Sequence, residues 1–458
     1  MSRPMLFVVA ASAAILSCSR ASAPEKPESL PSAGASATED ASLQLRMREH
    51  LQRVGPRLIA LRRDIHRHPE VAGEERRTAE LIAEHLRALD ITVVEGVGGH
   101  GVVGLIEGGL PGAVVAYRAD MDAVAHPAPD PVEFRSTTPG VRHICGHDIH
   151  VAVGLGVAEA LVEIREQLPG SVKLIFQPAE ETAEGAKAMI RDGALRAPRP
   201  DAIFAVHSAP LPVGRVGSVE GKLLPGLSLL TVELTGTGDL PAAAQAYRSA
   251  IAQAQRMPPP PQSSSASASA SALLGVDTSG QQPPAERKPP STPEPGVFML
   301  MPLSSQRVAA DGPWRLQVVI RASSQADYLR GKEDIAQRLG AIAVPGVSHI
   351  VAYRDWVVPD TVNHVGLTRA SLPALRTALG ADRVLELNQM VPFFSEDFSF
   401  FQKEIPGVMY WLGVANAERG ISGMPHSPDF VADEGAIAVG ARAMSALLLA
   451  YLQSNRDG

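Results

Sequence analysis

The sequence predicts an α/β fold: an open, mostly parallel sheet with helices on its faces, into which a smaller ferredoxin-like α+β domain is inserted as a lid. Short β-rich runs at residues 101–106, 113–117 and 171–176 alternate with helical segments, and the alternation resumes over 367–452. Between these halves, residues 227–357 run strand, helix, strand, strand, helix, strand, the βαββαβ order of a small ferredoxin-like unit.

In chain order, residues 1–18 have the pattern of a signal peptide. Arg3 precedes an apolar run over 5–16 that is too short to span a membrane, and Ile15-Leu16-Ser17-Cys18 resembles a bacterial lipobox with Cys18 as the acylated residue. The expectation is export as a cell-envelope lipoprotein, facing the periplasm or the outer surface and meeting the membrane only through that lipid. Residues 19–42 are Ala, Ser, Pro and Glu with few large apolar side chains, which predicts a flexible tether.

The first part of the main domain is expected over 43–226. Apolar residues recur at helical spacing through 43–89 with a break at His68-Pro69, predicting two amphipathic helices. A helix over 151–167 then leads to the strand 171–176, whose C-terminal end carries Gln177-Pro178-Ala179-Glu180-Glu181. The lid is expected as strand 229–234, helix 241–256, strands 297–303 and 314–320, helix 326–342 and strand 349–353. Its segment 258–295 is rich in Pro, Ser, Ala and Gln and cannot bury a core, which predicts disorder. The second part of the main domain, 358–458, closes with an apolar helix over 435–452. Small residues and Arg442 suit that helix to core packing rather than to a membrane.

A chain of 458 residues with a net charge of −7 has room for two or three domains and gives no sign of the basic face that nucleic-acid binding needs. A small molecule is the expected partner. The chemistry concentrates in His143-Ile144-Cys145-Gly146-His147-Asp148-Ile149-His150, a thiol, three imidazoles and a carboxylate in a chain with two cysteines and 13 histidines. Thiolate and neutral imidazole are ligands for zinc-like ions, and Gly146 frees the backbone to aim Cys145 and His147 at one point. With Cys18 acylated, Cys145 has no partner for a disulfide, and metal ligation gives an exported lone thiol a use. Open α/β sheets hold ligands beyond the carboxyl ends of their strands, where Asp120, Asp122 and Glu180-Glu181 fall. Of two adjacent carboxylates, one can bind metal while its neighbour handles a proton.

Five stretches stand in order: Tyr117-Arg118-Ala119-Asp120-Met121-Asp122, the Cys/His octet, Gln177 to Glu181, Phe204-Ala205-Val206-His207-Ser208, and Met424-Pro425-His426-Ser427-Pro428-Asp429-Phe430. With Leu61-Arg62-Arg63-Asp64-Ile65-His66-Arg67-His68-Pro69-Glu70, Ser395-Glu396-Asp397-Phe398 and Pro406-Gly407-Val408-Met409-Tyr410-Trp411-Leu412-Gly413, they resemble the hippurate hydrolase and indoleacetyl-amino-acid hydrolase branch of the aminoacylase-type metallopeptidases.

The resemblance implies a catalytic main domain holding two divalent metal ions on Cys145, His147, Glu181, His207 and His426, with the thiolate bridging. Glu180 would be the general base, and Asp122, with Asp120 beside it, would orient a ligand. Zinc or manganese is expected, with nickel and cobalt as further candidates. The implied reaction is hydrolysis of the amide bond in N-acyl amino acids or small peptide-like amides, and the implied assembly a homodimer through the lid. Arg321 matches a family arginine that would hold a substrate carboxylate.

The chain departs from the resemblance in the lid. Where relatives carry Gly-Gly-His-Gly, it has Gly236-Thr237-Gly238-Asp239, and no histidine occurs between His207 and His349. A degenerate member that binds metal and a ligand or partner without efficient turnover is therefore the alternative. The lack of a histidine at Asp120, where the dipeptidase and carboxypeptidase branches carry one, argues against those activities.

Overall fold

The computed structural model describes residues 33–256, 296–309, 311–387 and 390–456. The signal peptide with Cys18, residues 19–32 of the tether and the insertion 258–295 lie outside the described residues. The chain divides into two compact units after Ser42. In the first, residues 33–42 are helical as the start of α1 (Ala33–Arg67), which corrects the tether expected there. Ala and Glu are strong helix formers, and extending an existing helix costs far less than nucleating one.

In the second unit, α1 buries Leu43, Met47, Leu51, Leu58 and Ile65 along one face, and α2 (Arg76–Ala88) buries Ala79, Ile82, Ala83 and Leu86. Then come β1 (Thr92–Val97), β2 (Gly101–Glu107), β3 (Leu110–Asp120), the ribbon β4 (Val124–Ala125) with β5 (Val141–Arg142), α3 (His147–Val162), β6 (Pro169–Gln177), α4 (Gly185–Arg191), β7 (Ala202–Pro212), β8 (Val216–Val219) and β9 (Gly221–Leu224). The lid is β10 (Gly226–Gly236), α5 (Leu240–Ala252), β11 (Phe298–Arg307), β12 (Trp314–Ala322), α6 (Gln325–Gly340) and β13 (Val347–Val358). The chain returns through β14 (Thr361–Asn363), α7 (Val365–Leu379), β15 (Val384–Leu387), α8 (Phe398–Glu404), β16 (Gly407–Ala415) and α9 (Gly435–Ser454).

The main sheet has the order β1-β2-β6-β3-β7-β16-β8-β15. Its centre, β6, β3, β7 and β16, is parallel throughout, so the carboxyl ends of these strands share one edge. Antiparallel pairs lie outside that centre, at β1 with β2, β2 with β6 and β16 with β8. The lid sheet, β11-β12-β10-β13, is antiparallel throughout and has the ferredoxin-like strand order expected. Asp239 caps α5 by accepting from the Ala242 N–H, and Ser324 caps α6 by accepting from that of Asp327.

Helix α3 begins at His147 rather than at 151 and ends at Val162, with a separate 3-10 turn over Arg165–Gln167. Gly146, at φ 91°, occupies a left-handed conformation that lets the helix start within one residue of Cys145. All but the last residue of α3 are buried, and it packs in the main core with α9. Helix α9 is long and apolar enough to cross a membrane, yet Ala436, Ile437, Met444, Leu447, Leu448 and Leu452 are buried in that core.

Candidate metal centre

The candidate residues arrive from five places around the strand edge. Asp120 ends β3 and Asp122 follows it; Cys145 and His147 flank Gly146 at the start of α3; Glu180 and Glu181 follow β6; His207 lies within β7. His426 comes from the loop after β16, where its backbone N–H donates to the Ile144 carbonyl at 2.8 Å. Arg142 holds the same loop by donating to the Pro428 carbonyl at 3.0 Å.

Two triplets of ligand atoms, Cys145/His147/His207 and Cys145/Glu181/His426, each lie within 4.8 Å of one another. Cys145 belongs to both, as a bridging thiolate requires. The tautomers also suit ligation. His147 Nδ1 lies 2.8 Å from the Asp122 carbonyl, which can only accept, so Nδ1 carries a hydrogen and Nε2 is the nitrogen left for an ion. That Nε2 is buried without a hydrogen-bond partner, 3.9 Å from carboxylate oxygens of Glu180 and Glu181, and Glu181 Oε1 is orphaned in the same way. His207 Nδ1 likewise donates to the Ser208 carbonyl at 2.9 Å, leaving Nε2 3.4 Å from Cys145 Sγ. Asp122 ties the set together, with Oδ1 3.2 Å from His147 Nδ1 and Oδ2 accepting the Glu181 N–H at 2.9 Å. Buried polar atoms left unpaired around one point, with thiol, imidazole and carboxylate donors, fit a divalent transition ion.

Before an ion binds, this pocket holds protons. Burial pushes the Cys145 thiol well above its usual range, and His147 offsets only part of that. Burial opposes a charge on His147, but Asp120 and Cys145 more than compensate and raise its pKa well above the imidazole range. Glu181 is pushed up to about 7, chiefly by burial, and Glu180 is raised well above the carboxylate range by burial and by Glu396, Glu181 and Asp397. Burial lowers His426 to about 4 and carries His207 well below its usual value, so both are neutral near pH 7.

The centre forms the floor of a cavity of about 380 Å³ between the main sheet and the lid. Cys145, Glu180, Glu181, His207 and His426 line it, while Phe393, Phe394, Met301 and Leu227 supply apolar walls. Arg321 reaches in from β12, where Nε donates to Ser395 Oγ at 3.3 Å and Nη1 approaches Met301 Sδ at 2.6 Å. No ion-pair partner for it occurs among the described residues, and burial lowers its pKa to about 10.

Residue types and order alone did not reveal what supports these groups. Arg118 is fully buried and donates to Gln177 Oε1, Asp120 Oδ2, Glu396 Oε1 and Asp397 Oδ1 at 2.8, 2.5, 2.8 and 3.1 Å. Its signal was the Arg-Ala-Asp-Met-Asp and Ser-Glu-Asp-Phe motifs, whose partnership only the fold displays. The octet also divides. His147 enters the centre and His150 stands behind it, whereas His143 turns toward His66, ring centroids 6.1 Å apart, with neither nitrogen hydrogen-bonded.

The profile of peptidase family M20/M25/M40 matches residues 116–450. The chain belongs to this family. Thermostable carboxypeptidase 2 of Saccharolobus solfataricus is 31% identical over 86% of this chain and 95% of its own length. IAA-amino acid hydrolase ILR1-like 4 of Arabidopsis thaliana is 31% identical over 86% of each chain. The crystal structure of the Bacillus subtilis YXEP protein, described as a dinuclear metal-binding peptidase of the M20 family, superposes with a TM-score of 0.66 at 25% identity, covering 88% of this chain and 99% of that one. The resemblance to the hippurate and indoleacetyl-amino-acid hydrolases is thus borne out, as is the α/β fold with its inserted lid. The M20 chain is a metal-dependent hydrolase by family, and its converging thiol, imidazoles and carboxylates suit that chemistry.

Proposed function

We propose that this protein is a two-metal amidohydrolase that cleaves the amide bond of N-acyl amino acids or small peptide-like amides. One observation carries the reading: four ligand groups and a separate buried carboxyl, Glu180, share the floor of a cavity, with His147 clustered against Cys145 and His207, and the lid wall holds the uncompensated Arg321. Ions held by Cys145, His147, Glu181, His207 and His426 supply an acidified water and polarisation of the scissile carbonyl.

The remaining work belongs to side chains. Glu180, with its raised proton affinity, takes the water's proton and returns it to the departing amine. Asp122 keeps His147 and the Glu181 backbone in register. Arg321 meets a free carboxylate with a charge-assisted hydrogen bond, and Phe393, Phe394 and Leu227 shield the acyl side from water. The named relatives agree, since a carboxypeptidase and an amino acid conjugate hydrolase both cut an amide beside a carboxylate. A carboxypeptidase among them weakens the distinction drawn from Asp120. Lipid anchoring through Cys18 and pairing of two chains through the lid belong to the same reading.

The test is a panel of N-acyl amino acids offered to purified protein loaded with zinc or manganese. Glu180→Gln is expected to lower turnover by about 10²- to 10⁴-fold with both ions retained. Wild-type protein that holds two ions and leaves the whole panel intact would overturn the reading. The second reading, binding without turnover, would then stand, favoured by the Gly236 to Asp239 stretch that lacks the family histidine.

A further inference from the structure

Four buried residues form an unbroken line that ends at Ser208, beside His207 at the cavity wall. Arg118 Nη1 donates to Asp120 Oδ2 at 2.5 Å, Asp120 Oδ1 lies 2.5 Å from His150 Nδ1, and His150 Nε2 lies 2.8 Å from both the backbone nitrogen and Oγ of Ser208. None is more than 1% exposed.

The Ser208 backbone N–H can only donate, and that fixes the tautomer of His150. His150 Nε2 must accept, so Nδ1 carries the hydrogen and gives it to Asp120. With both nitrogens occupied, His150 has no lone pair for an ion, although its ring is 5.4 Å from that of His147 and 4.9 Å from that of His207. Successive residues of a strand face opposite sides, so on β7 His207 looks into the cavity while Ser208 looks into α3. The Ser208 carbonyl is the group that takes the His207 Nδ1 hydrogen. Pinning Ser208 therefore sets the direction of the His207 lone pair.

We propose that His150, oriented by Asp120 and acting through Ser208, is a positioning residue for His207, and so controls the affinity of one of the two ions. The inference rests on the two-metal reading above but not on which amide is cleaved. His207 shares its triplet with Cys145 and His147, whereas Glu181 and His426 of the other triplet receive no hydrogen bond from the Arg118–Asp120–His150–Ser208 line. Losing the His150 line loosens the ion on His207 and spares the other.

The experiment is a chelator-competition titration of the full chain with zinc, alongside the thiolate charge-transfer and ligand-field absorption of the cobalt-substituted protein. His150→Asn keeps a donor for Asp120 but withdraws the acceptor from Ser208. Ser208→Ala removes only the hydroxyl and covers the case in which the first variant does not fold. One equivalent is expected to weaken by about 10- to 100-fold in His150→Asn and by less in Ser208→Ala, with the cobalt spectrum altered at a single site. Two equivalents weakened alike, or neither weakened, would overturn the inference while leaving the two-metal reading intact. Wild-type protein binding fewer than two ions would overturn both.

Discussion

Asp122→Asn probes the centre without touching a ligand. Both Asp122 carboxylate oxygens face donors, the His147 Nδ1 hydrogen at 3.2 Å and the Glu181 N–H at 2.9 Å. An amide offers one oxygen and one NH₂, so in either orientation it sets donor against donor. The loss falls on a buried site, since Asp122 is 1% exposed, and it touches His147 and Glu181 together. Replacing such an outer partner costs about 10- to 100-fold in metal affinity, or about 1.4–2.7 kcal/mol. Competition against a fluorescent chelator at fixed pH measures it, and thermal unfolding of the ion-free protein checks that the fold survives. A folded Asp122→Asn protein that holds both ions as tightly as wild type would refute the role given to Asp122.

Metal affinity should fall with acid, because ligation displaces protons from Cys145 and His147 and, below about pH 7, from Glu181 as well. Zinc affinity measured from pH 8 to 5.5 should drop by more than tenfold per unit, and a flat profile would contradict the proton inventory. For the ion-free protein the sign reverses. Glu181 titrates at about 7 when folded against 4.5 in the open chain, so stability should decline as pH rises through that window, as denaturant titration will show. Glu159, buried but lowered to about 2 with help from His85, His50 and Arg57, contributes stability above pH 4.5 that is lost as pH falls through about 2. Glu159→Gln should remove part of that acid-sensitive stability, about 1–3 kcal/mol at pH 7, read from denaturant midpoints. Gly146→Ala should be costly on two counts: φ 91° strains a side chain by about 1–3 kcal/mol, and the new Cβ would sit 2.4 Å from Ser208 Oγ. Its melting temperature and zinc affinity should both fall.

Much of the architecture was legible because periodicity reports burial directly. The βαββαβ order of the lid, the strands around 101–106 and 171–176, and the buried character of α9 all follow from alternation and apolar spacing. Strand β1 was not legible: its residues are mostly exposed, so it lacks the alternation that signals a strand. The start of α3 was misplaced because His147 and His150, polar residues inside a helix, carry no apolar signal, and only the left-handed Gly146 explains the early turn. Residues 33–42 have a tether's composition yet continue a helix anchored farther along.

By itself the sequence determined which chemical groups were available, a thiol beside clustered imidazoles and paired carboxylates, because ligand chemistry resides in residue identity. It singled out His147 from three nearby histidines but not the roles of the other two, since tautomer and direction depend on partners remote in the chain: the Asp122 carbonyl for His147, Ser208 for His150, and neither nitrogen satisfied for His143. Tertiary structure decided those roles by bringing β3, α3, β6 and β7 to one edge, where a single backbone N–H or C=O fixes the hydrogen on each ring.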